Sequence, residues 1–373
     1  WIGTWGGGLA KFDGVNWTAY NTSNSGLPSN WVWTIVIDGQ GNKWIGTWEG
    51  LAKFDGVNWT AYNTGNSGLP GNDVRAIAID GEGNKWIGTE EGLAKFDGVN
   101  WTIYNTSNSG LPSNAVRAIA IDGEGNKWIG TDGEGLAKFD GINWTVYNTG
   151  NSNLPSDFIY KIVIDKQDNK WIGTFGGGLV KFDGMNWTVY NTSNSGLPGN
   201  AISAIAIDGQ GNKWIGTFGG GLAKFDGVNW TVYNTGNPGL PNNDVLAIAI
   251  DSKGNKWIGT YGGGLGVYRE GGVILPDVEK YINKMPSGFE LYQNYPNPFN
   301  LSTVIEFDVG ERSDIRIVVY DVLGREIRVL LDRGIGAGKY RVNFDAFGLS
   351  SGIYFYRMEA GKFVKVRKMI LMK

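Results

Sequence analysis

The chain has 373 residues, with 60 Gly, 17 Trp, 16 Tyr and 16 Phe, and it contains no Cys and no His. It therefore cannot form a disulfide, a Ser-His-Asp triad, a Cys nucleophile or a zinc site that depends on Cys or His. A formal net charge of −3 gives no electrostatic sign of nucleic-acid binding. No apolar run reaches about 18 residues, so we expect no transmembrane segment. The chain begins at Trp1 without Met or a signal-peptide pattern, and we expect a processed or incomplete product.

A short motif, Trp-Ile-Gly-Thr, recurs seven times at intervals of 42 or 43 residues. Its copies begin at Trp1, Trp44, Trp86, Trp128, Trp171, Trp214 and Trp257. Each full unit contains four short runs rich in β-branched or aromatic residues, which around Trp86 are 74–80, 85–89, 93–97 and 101–105. These runs are too short for core helices and predict four strands, which we name A, B, C and D in chain order.

Tight turns connect the predicted strands. Segments such as 80–84 (DGEGN) and 97–100 (DGVN) supply Gly and Asn where a hairpin needs positive φ, and a longer segment such as 106–114 leads to the next unit. Four antiparallel strands in 42 or 43 residues are typical of one blade of a β-propeller. The seven copies therefore predict a seven-bladed β-propeller over residues 1–277, with strand A innermost in each blade.

The first unit starts at strand B and lacks a strand A of its own. An unpaired strand edge invites pairing with another segment. Three sources could supply the strand: residues upstream of Trp1, the stretch 272–277 (GVILPD), or a neighbouring subunit. We expect one of the first two sources more often than the third.

The residues of the repeat also match a known pattern, D-x-x-G-N-x-W-I-G-T-x-x-G-L, in six full copies. One copy consists of Asp80, Gly83, Asn84, Trp86, Ile87, Gly88, Thr89, Gly92 and Leu93. In this pattern the chain resembles the two-component-regulator propeller family. The resemblance implies a propeller of the kind that often forms the ectodomain of a membrane sensor kinase. This chain departs from that plan, because its sequence shows neither a membrane helix nor a kinase domain.

The repeats stop near residue 278, and a segment of different composition begins at 287 after a linker predicted over 278–286. Alternating apolar residues predict six strands in it, at 303–308, 314–321, 326–331, 338–344, 352–360 and 363–371. Short strands at this spacing predict a small Ig-like β-sandwich over 287–373. The predicted fold class is therefore all-β, a seven-bladed β-propeller followed by a small C-terminal β-sandwich.

The final segment carries four short motifs: LYQNYPNPFN from Leu291, VYDVLGR from Val319, GLSSGIYFY from Gly348 and KMILMK from Lys368. They resemble the C-terminal sorting domain of proteins exported by the type IX secretion system of Bacteroidetes and related bacteria. The resemblance assigns a sorting role to Asn294, Pro296, Asn297, Pro298, Phe299, Asn300, Gly324, Gly352, Lys368 and Lys373. It implies the type IX machinery as a partner, export across the outer membrane, and release or attachment at the cell surface. The chain departs from the family at Leu301, where Pro is usual.

Thirteen of the 17 Trp occupy repeat positions in strands B and D, where we expect packing between blades. The other four are Trp5, Trp31, Trp33 and Trp48. Trp5 and Trp48 lie in B–C turns, and Trp31 and Trp33 lie at the start of strand A. Because the chain direction alternates within a blade, B–C turns and D–A loops share one face. All four are therefore predicted on the same face of the first two blades.

The equivalent positions in the other units vary against a nearly constant background. After Trp-Ile-Gly-Thr stand Glu90, Asp132, Phe175, Phe218 and Tyr261, and at the second residue of strand A stand Arg75, Arg117, Tyr160, Ser203 and Leu246. Aromatic faces flanked by Arg and carboxylates suit sugar rings or a protein surface. We predict ligand binding by Trp5, Trp31, Trp33, Trp48, Arg75, Arg117, Tyr160, Phe175, Phe218 and Tyr261. The alternative is that these residues form a contact between subunits, or that they lie at the rim of the propeller without a binding role.

The carboxylates of the repeat suggest little chemistry. The opposite face is expected to carry one turn carboxylate per blade, at Asp38, Asp80, Asp122, Asp165, Asp208 and Asp251. Calcium needs about six to eight oxygens that converge on one point, whereas one aspartate per blade leaves these carboxylates far apart. We therefore expect them to stabilise their turns, and we predict no metal and no cofactor. The carboxylate pairs Glu90–Glu91 and Asp132–Glu134 could serve in catalysis, so a carbohydrate-active enzyme is the last alternative. The absence of a recurring base–nucleophile spacing argues against it.

Together these patterns predict a non-catalytic scaffold, secreted or displayed at the outer-membrane surface. It would bind a glycan or a protein partner, or serve as a structural surface component. The first alternative is a homo-oligomer: a subunit of a self-assembling extracellular filament or layer, joined through the incomplete first blade and a retained sorting domain. Near-identical blades favour this alternative slightly, since a ligand pocket usually diverges more between repeats.

Overall fold

The computed structural model describes residues 1–13, 16–236, 240–268, 279–281, 286–300, 302–346 and 349–372. Every regular element in these ranges is a β-strand, which confirms the predicted all-β class. The chain divides into two compact units, Trp1–Ile250 with Trp257–Gly266, and Asp251–Lys256 with Val267–Lys373.

The described part of the repeated region forms seven sheets, each with its strands side by side in chain order. The first sheet has three strands, β1 (Ile2–Gly3), β2 (Leu9–Phe12) and β3 (Trp17–Tyr20). The second has β4 (Val32–Ile37), β5 (Lys43–Thr47), β6 (Gly50–Phe54) and β7 (Trp59–Tyr62). The third has β8 (Val74–Ile79), β9 (Lys85–Thr89), β10 (Gly92–Phe96) and β11 (Trp101–Tyr104). The fourth has β12 (Val116–Ile121), β13 (Lys127–Thr131), β14 (Leu136–Phe139) and β15 (Trp144–Tyr147).

The remaining three sheets continue this pattern. The fifth has β16 (Ile159–Ile164), β17 (Lys170–Thr174), β18 (Leu179–Phe182) and β19 (Trp187–Tyr190). The sixth has β20 (Ile202–Ile207), β21 (Lys213–Thr217), β22 (Gly221–Phe225) and β23 (Trp230–Tyr233). The seventh has three strands, β24 (Val245–Ile250), β25 (Lys256–Thr260) and β26 (Gly264–Tyr268). Repeated four-stranded sheets of this kind confirm the predicted propeller.

Two aromatic contacts join the first sheet to the seventh. The ring centroids of Trp5 and Tyr261 are 5.6 Å apart, and those of Phe12 and Trp257 are 6.3 Å apart. The sheets are therefore arranged in a ring. The first sheet begins with β1, which corresponds to strand B, and among the described residues no strand A pairs with it. The stretch 272–277, one predicted source of that strand, lies outside the described residues.

Packing between sheets depends on the aromatic residues of the repeat. Trp86 is 2% exposed, and its ring lies 5.8 Å from Tyr104 of its own sheet and 6.1 Å from Phe139 of the next sheet. The same contacts recur around Trp44, Trp128 and Trp171. Each strand-B tryptophan thus ties its sheet to the neighbouring one by burying a large apolar ring.

A hydrogen-bonded turn fixes each of these tryptophans. In the third sheet, Asp80 Oδ2 accepts from the indole Nε1 of Trp86 at 2.9 Å and from Asn84 Nδ2 at 3.0 Å. Its other oxygen accepts from the backbone N–H groups of Glu82 and Asn84. Gly83 holds a φ of 85°, which a residue with a side chain rarely adopts. The spacing D-x-x-G-N-x-W is therefore explained by one turn that also satisfies a buried indole.

The inner strands of the second to sixth sheets contain a β-bulge at their second residue. Pairing between β8 and β9 shifts between Val74 and Ala76, and the same shift recurs in the second, fourth, fifth and sixth sheets. A bulge sets two residues against one on the partner strand. Arg75 and Ala76 accordingly both line the central cavity of the ring, instead of pointing to opposite sides of the sheet.

The second unit contains two four-stranded sheets. One has the order β27-β32-β29-β28, with β27 (Glu279–Tyr281), β32 (Gly338–Asp345), β29 (Ser302–Val309) and β28 (Glu290–Leu291). The other has the order β31-β30-β33-β34, with β31 (Glu326–Ile335), β30 (Ser313–Tyr320), β33 (Gly352–Ala360) and β34 (Phe363–Leu371). Both sheets contribute to one buried core that includes Phe307, Phe344, Ile317 and Tyr356. This C-terminal β domain matches the predicted sandwich.

The six strands predicted in this unit are all present, and those at 352–360 and 363–371 have the predicted bounds. Two short strands were not predicted. One of them, β27, falls within the linker predicted over 278–286 and pairs with β32, which makes it part of the C-terminal sheet. Most of the other residues of that linker lie outside the described residues.

Candidate ligand-binding face and sorting motif

One face of the ring is built where B–C turns meet D–A loops. The backbone N–H of Trp48, in the B–C turn of the second sheet, donates to the carbonyl of Trp31 at 3.1 Å. Trp31 also forms an isolated β-bridge with Trp5, in the turn of the preceding sheet. The residue before strand A is thus held between two neighbouring turns. Phe158 is held in the same way, by Phe175 and Asp132.

These backbone contacts bring the four tryptophans outside the repeat together with Tyr261. We call Trp5, Trp31, Trp33, Trp48 and Tyr261 the tryptophan cluster. Its ring centroids lie 5.5 to 6.4 Å apart from neighbour to neighbour. Trp5 is 47% exposed and Trp48 is 51% exposed, which is unusual for residues of this size. The cluster is therefore a contiguous aromatic surface open to solvent.

A second aromatic group lies on the fifth and sixth sheets. The rings of Tyr160 and Phe175 stack at 5.1 Å, and Phe175 meets Phe218 edge-on at 6.3 Å. Phe158, which the sequence analysis did not include, is also exposed nearby in the same sheet. Its position in the repeat equals that of Trp31, and this equivalence is the signal that would have identified it.

A chain of ion pairs separates the two aromatic groups on the third and fourth sheets. Arg75 lies 2.5 Å from Asp73 and 3.3 Å from Glu90. Arg117 lies 3.3 Å from the same Glu90 oxygen and 2.5 Å from Asp132. Burial works against the charge of Arg117, but the Asp132 hydrogen bond and the nearby carboxylates outweigh it and raise the pKa of the guanidinium.

Cation–π contacts connect this ion-pair chain to the aromatic groups at both ends. The guanidinium of Arg75 lies 4.2 Å above the ring of Trp33, and that of Arg117 lies 5.9 Å from the ring of Tyr160. The buried Nε1 of Trp33 has no hydrogen-bond partner, and neither does Glu90 Oε1. The ten predicted ligand-binding residues are therefore linked into one surface. Asp73 Oδ1 and Arg75 Nε also lack a hydrogen bond, so four buried polar atoms of this surface form none, although Glu90 Oε1 is ion-paired with both arginines.

A cavity of about 230 Å³ lies along the axis of the ring. The inner strands β4, β8, β12, β16, β20 and β24 line it, mostly with Ala, Ile and other uncharged residues. Its charged lining residues are Arg75, Arg117 and Lys161. Lys161 was not a predicted site residue. Its sequence signal is that Thr34, Ala76, Ala118, Ala204 and Ala247 occupy the same position of strand A.

The turn carboxylates of the repeat, predicted on the opposite face, bind their own turns. Asp122, for example, accepts from Trp128 Nε1 and Asn126 Nδ2, both at 2.9 Å. Among the described residues, no group of three or more carboxylates is placed to hold a metal ion. The carboxylates of Glu90 and Asp132, considered above for catalysis, are both engaged by arginine.

The predicted sorting residues cluster around the last strand of the second unit. The backbone N–H of Ile370 donates to Asn297 Oδ1 at 2.9 Å. Phe299, only 2% exposed, donates its N–H to the Ile370 carbonyl and accepts from the N–H of Met372. The carbonyl of Lys368 accepts from Gln293 Nε2 at 2.8 Å. The opening motif of the domain is therefore seated on β34.

Asn294 is buried beneath this motif. Its N–H donates to the hydroxyl of Tyr356 at 2.7 Å, and its side chain donates to Thr303 Oγ1 and to the Pro296 carbonyl. Burial, the largest influence, raises the pKa of Tyr356 to about 12, so this hydroxyl stays protonated and donates to the carbonyl of Tyr292. Asn294 thus acts as an internal link between the motif and the core.

The other predicted sorting residues divide between turns and surface. Gly324 has a φ of 77° in the turn between β30 and β31, where Asp321 accepts its N–H through the backbone carbonyl. Gly352 pairs with Leu371 at the start of β33. Pro296, Pro298 and Asn300 are exposed. Lys373 lies outside the described residues.

Two family models match the chain. The secretion system C-terminal sorting domain matches residues 293–372. The two component regulator propeller matches five segments, 26–49, 68–91, 110–133, 196–219 and 239–262. The protein is a propeller with a type IX sorting domain. Both resemblances drawn from the sequence are thereby confirmed, and the sorting domain assigns the chain to the cell surface or the extracellular space. Within the described residues, the structure contains no helix of the length and apolar character needed to cross a membrane.

Solved structures share the fold. The extracellular domain of the hybrid two component system BT3049 from B. thetaiotaomicron is 24% identical with a TM-score of 0.61, and the match covers 100% of this chain and 53% of that one. PorZ from Porphyromonas gingivalis is described as an essential bacterial surface component of the type-IX secretion system. It is 19% identical with a TM-score of 0.56, and the match covers 100% of this chain and 57% of that one. The chain thus spans little more than half the length of these proteins.

A third similar structure is an enzyme. Virginiamycin B lyase from Staphylococcus aureus, in a catalytically inactive variant with quinupristin, is 13% identical with a TM-score of 0.55, and the match covers 84% of this chain and 94% of that one. Identities this low establish a common fold and leave function to the residues of the site. No curated protein sequence matches the chain.

Proposed function

We propose that the protein is a non-catalytic surface propeller that binds a glycan through the face carrying the tryptophan cluster. The observation that carries the proposal is the exposure of Trp5, Trp31 and Trp48, which join through one another and the half-buried Trp33, whereas the strand-B tryptophans of the complete sheets are buried. Exposed apolar surface of this kind usually marks a binding site. The similarity to PorZ, itself a surface component, supports the cellular setting of this proposal.

The chemistry of the face suits a sugar. A pyranose ring presents flat C–H surfaces to an aromatic ring and hydroxyls to the polar groups around it, and tryptophan offers both an apolar face and an N–H donor. The ion-pair chain from Asp73 to Asp132 adjoins the tryptophan cluster, with Arg75 against Trp33. It supplies donors and acceptors for hydroxyl groups at the side of the apolar surface.

Two observations support a non-catalytic role. The catalytically inactive form of the lyase with a similar fold differs from the active enzyme by replacement of a histidine, and this chain has no His. In addition, the carboxylates of Glu90 and Asp132 are both engaged in ion pairs with arginine.

A glycan array with the full chain tests this function. The double variant Trp5→Ala/Trp48→Ala is expected to lose at least tenfold in affinity for any glycan that the unaltered chain binds. Trp17→Ala is the matched control, because Trp17 is 57% exposed but opens the outer strand β3 and stacks on Phe12 away from the cluster. Equal binding by all three proteins would overturn the proposed site.

A further inference from the structure

The axial cavity carries an asymmetric charge. Seventeen residues of six inner strands line it, and its three charged members are all cationic, with no carboxylate among them. Arg75 and Arg117 are neutralised by Asp73, Glu90 and Asp132, which lie outside the lining. Lys161 is the third cation, and none of the described residues forms a hydrogen bond or an ion pair with its amino group.

Lys161 is the one charged residue at its position in the repeat. The third residue of strand A is Thr or Ala in the other five inner strands, so the cavity owes its width there to small side chains. An alanine would complete the pattern in the fifth sheet as it does in the fourth and sixth. The lysine replaces it with a long cationic side chain in the lining of the cavity.

The surroundings of this lysine disfavour its charge. The side chain keeps accessible surface in the cavity, but the surrounding protein still disfavours its charged form and lowers the pKa of its amino group. The other titratable or charged residues of the lining are Arg75, Arg117 and Tyr160, so the lining offers Lys161 no carboxylate partner. A cation in such a position is stabilised by an anion from outside the chain.

We propose that the axial cavity is a binding site for a small organic carboxylate, with Lys161 as its counter-ion. The acid reaches the cavity from the face that carries the tryptophan cluster, since Trp33, Arg75, Arg117 and Tyr160 line both. The volume of about 230 Å³ exceeds the roughly 150 Å³ of a cavity that holds benzene, so a single sugar acid or a smaller acid fits. The site adjoins the proposed glycan face and shares these four residues with it, but it does not depend on glycan binding there.

Calorimetric titration of the full chain with acetate, D-glucuronate, tri-galacturonate and neutral D-glucose tests the site. We expect at least one of the acids to bind at least tenfold more tightly than glucose. Binding of acetate or glucuronate alone identifies a free acid as the ligand, and tighter binding of tri-galacturonate identifies an acid carried on a glycan. Because the carboxylate pairs with the charged form of Lys161, its affinity should fall as the pH rises toward 10.5 and the amino group loses its proton.

Variants separate this site from its surroundings. Lys161→Met is expected to weaken the acid at least tenfold, and Lys161→Arg, which keeps the charge, should stay within about threefold of the unaltered chain. Lys166→Met is the matched control, because Lys166 is an exposed lysine in a turn of the same sheet. Trp5→Ala/Trp48→Ala should leave acetate binding unchanged. Failure of the proposed glycan site can therefore be distinguished from failure of the proposed acid site. The proposal is overturned if none of the acids binds, or if Lys161→Met binds as well as the unaltered chain.

Discussion

The turns between strands A and B and the turns between strands B and C serve opposite purposes in the propeller. Every described A–B turn of the repeat contains the same Asp–Asn pair, and five of these turns bind a buried indole with little variation in distance. The B–C turns carry Trp, Glu, Asp, Phe or Tyr at one position, and they also differ in length: the threonine hydroxyl donates to the carbonyl three residues on in the second and third sheets and four residues on in the fourth, fifth and sixth. The A–B turns therefore stabilise the fold. The B–C turns present side chains that can vary for recognition.

The largest effect expected from this difference between A–B and B–C turns is the loss of stability when a repeat tryptophan is replaced. Trp86→Ala should lower the free energy of unfolding by about 3–5 kcal/mol, because it empties a contact between two sheets. Trp48→Ala, on the other turn, should cost at most about 1 kcal/mol, since half of that side chain is already exposed. Urea denaturation followed by circular dichroism measures both, and equal losses would remove the distinction between the two sets of turns.

Two aspartates give a finer test. Asp122→Ala should cost about 1.5–3 kcal/mol, because it leaves the indole of Trp128 and the amide of Asn126 without their charged acceptor. Asp132→Ala should cost less than about 1 kcal/mol, since Arg117 keeps Glu90 and the pair is partly exposed. The same denaturation experiment compares them, and a greater loss for Asp132 would contradict the proposed division.

Acid should weaken the A–B turns. Burial alone would raise the pKa of Asp38, but hydrogen bonds from Trp44, Asn42 and Gln40 outweigh it and lower the value to about 2. The folded state therefore stays ionised where the unfolded chain, with a value near 3.8, takes up a proton. The stabilisation is complete above about pH 4 and is lost as the pH falls toward 2. Urea midpoints from pH 2 to 6 should show this decline, and Asp38→Asn should make it shallower.

The smallest expected effect on stability comes from Lys161, in the cavity along the axis of the ring. Lys161→Met should raise the melting temperature by at most about 2 °C, because it removes a cation whose charge the surrounding protein disfavours but solvent partly screens. Since the folded protein releases the Lys161 proton below the unfolded value of 10.5, the unaltered chain should gain stability as the pH rises toward that value. The variant should lack this gain. Scanning calorimetry from pH 7 to 10 measures it, with Lys166→Met as the unaffected comparison.

The sequence predicted those features that local pattern determines. The bounds of β33 and β34 were predicted as the structure has them, because long alternating runs between glycines leave one choice of register. The position of the tryptophan cluster followed from strand alternation alone. The short strands β27 and β28 were missed, since two or three residues carry no period and depend on β32 and β29 for pairing.

Other features required the folded chain. Glu90 pairs with Arg75 of its own sheet and with Arg117 of the next sheet, and no spacing in the sequence indicates these contacts. Lys161 was not predicted, because the variation that drew attention lies at the second residue of each strand A and Lys161 is the third. The β-bulge brings both into the cavity lining, and a bulge has no strong sequence signature in this repeat.

The position of the sorting motif on β34 has a consequence for the order in which the protein is made. Each four-stranded sheet of the propeller consists of consecutive strands, so it can form soon after its own residues leave the ribosome. The C-terminal domain has no such route, because residues from Asn294 to Phe299 must wait for Ile370 and Met372 before their partners exist. During synthesis the repeats accumulate one at a time, whereas the sorting domain is completed in a single late step.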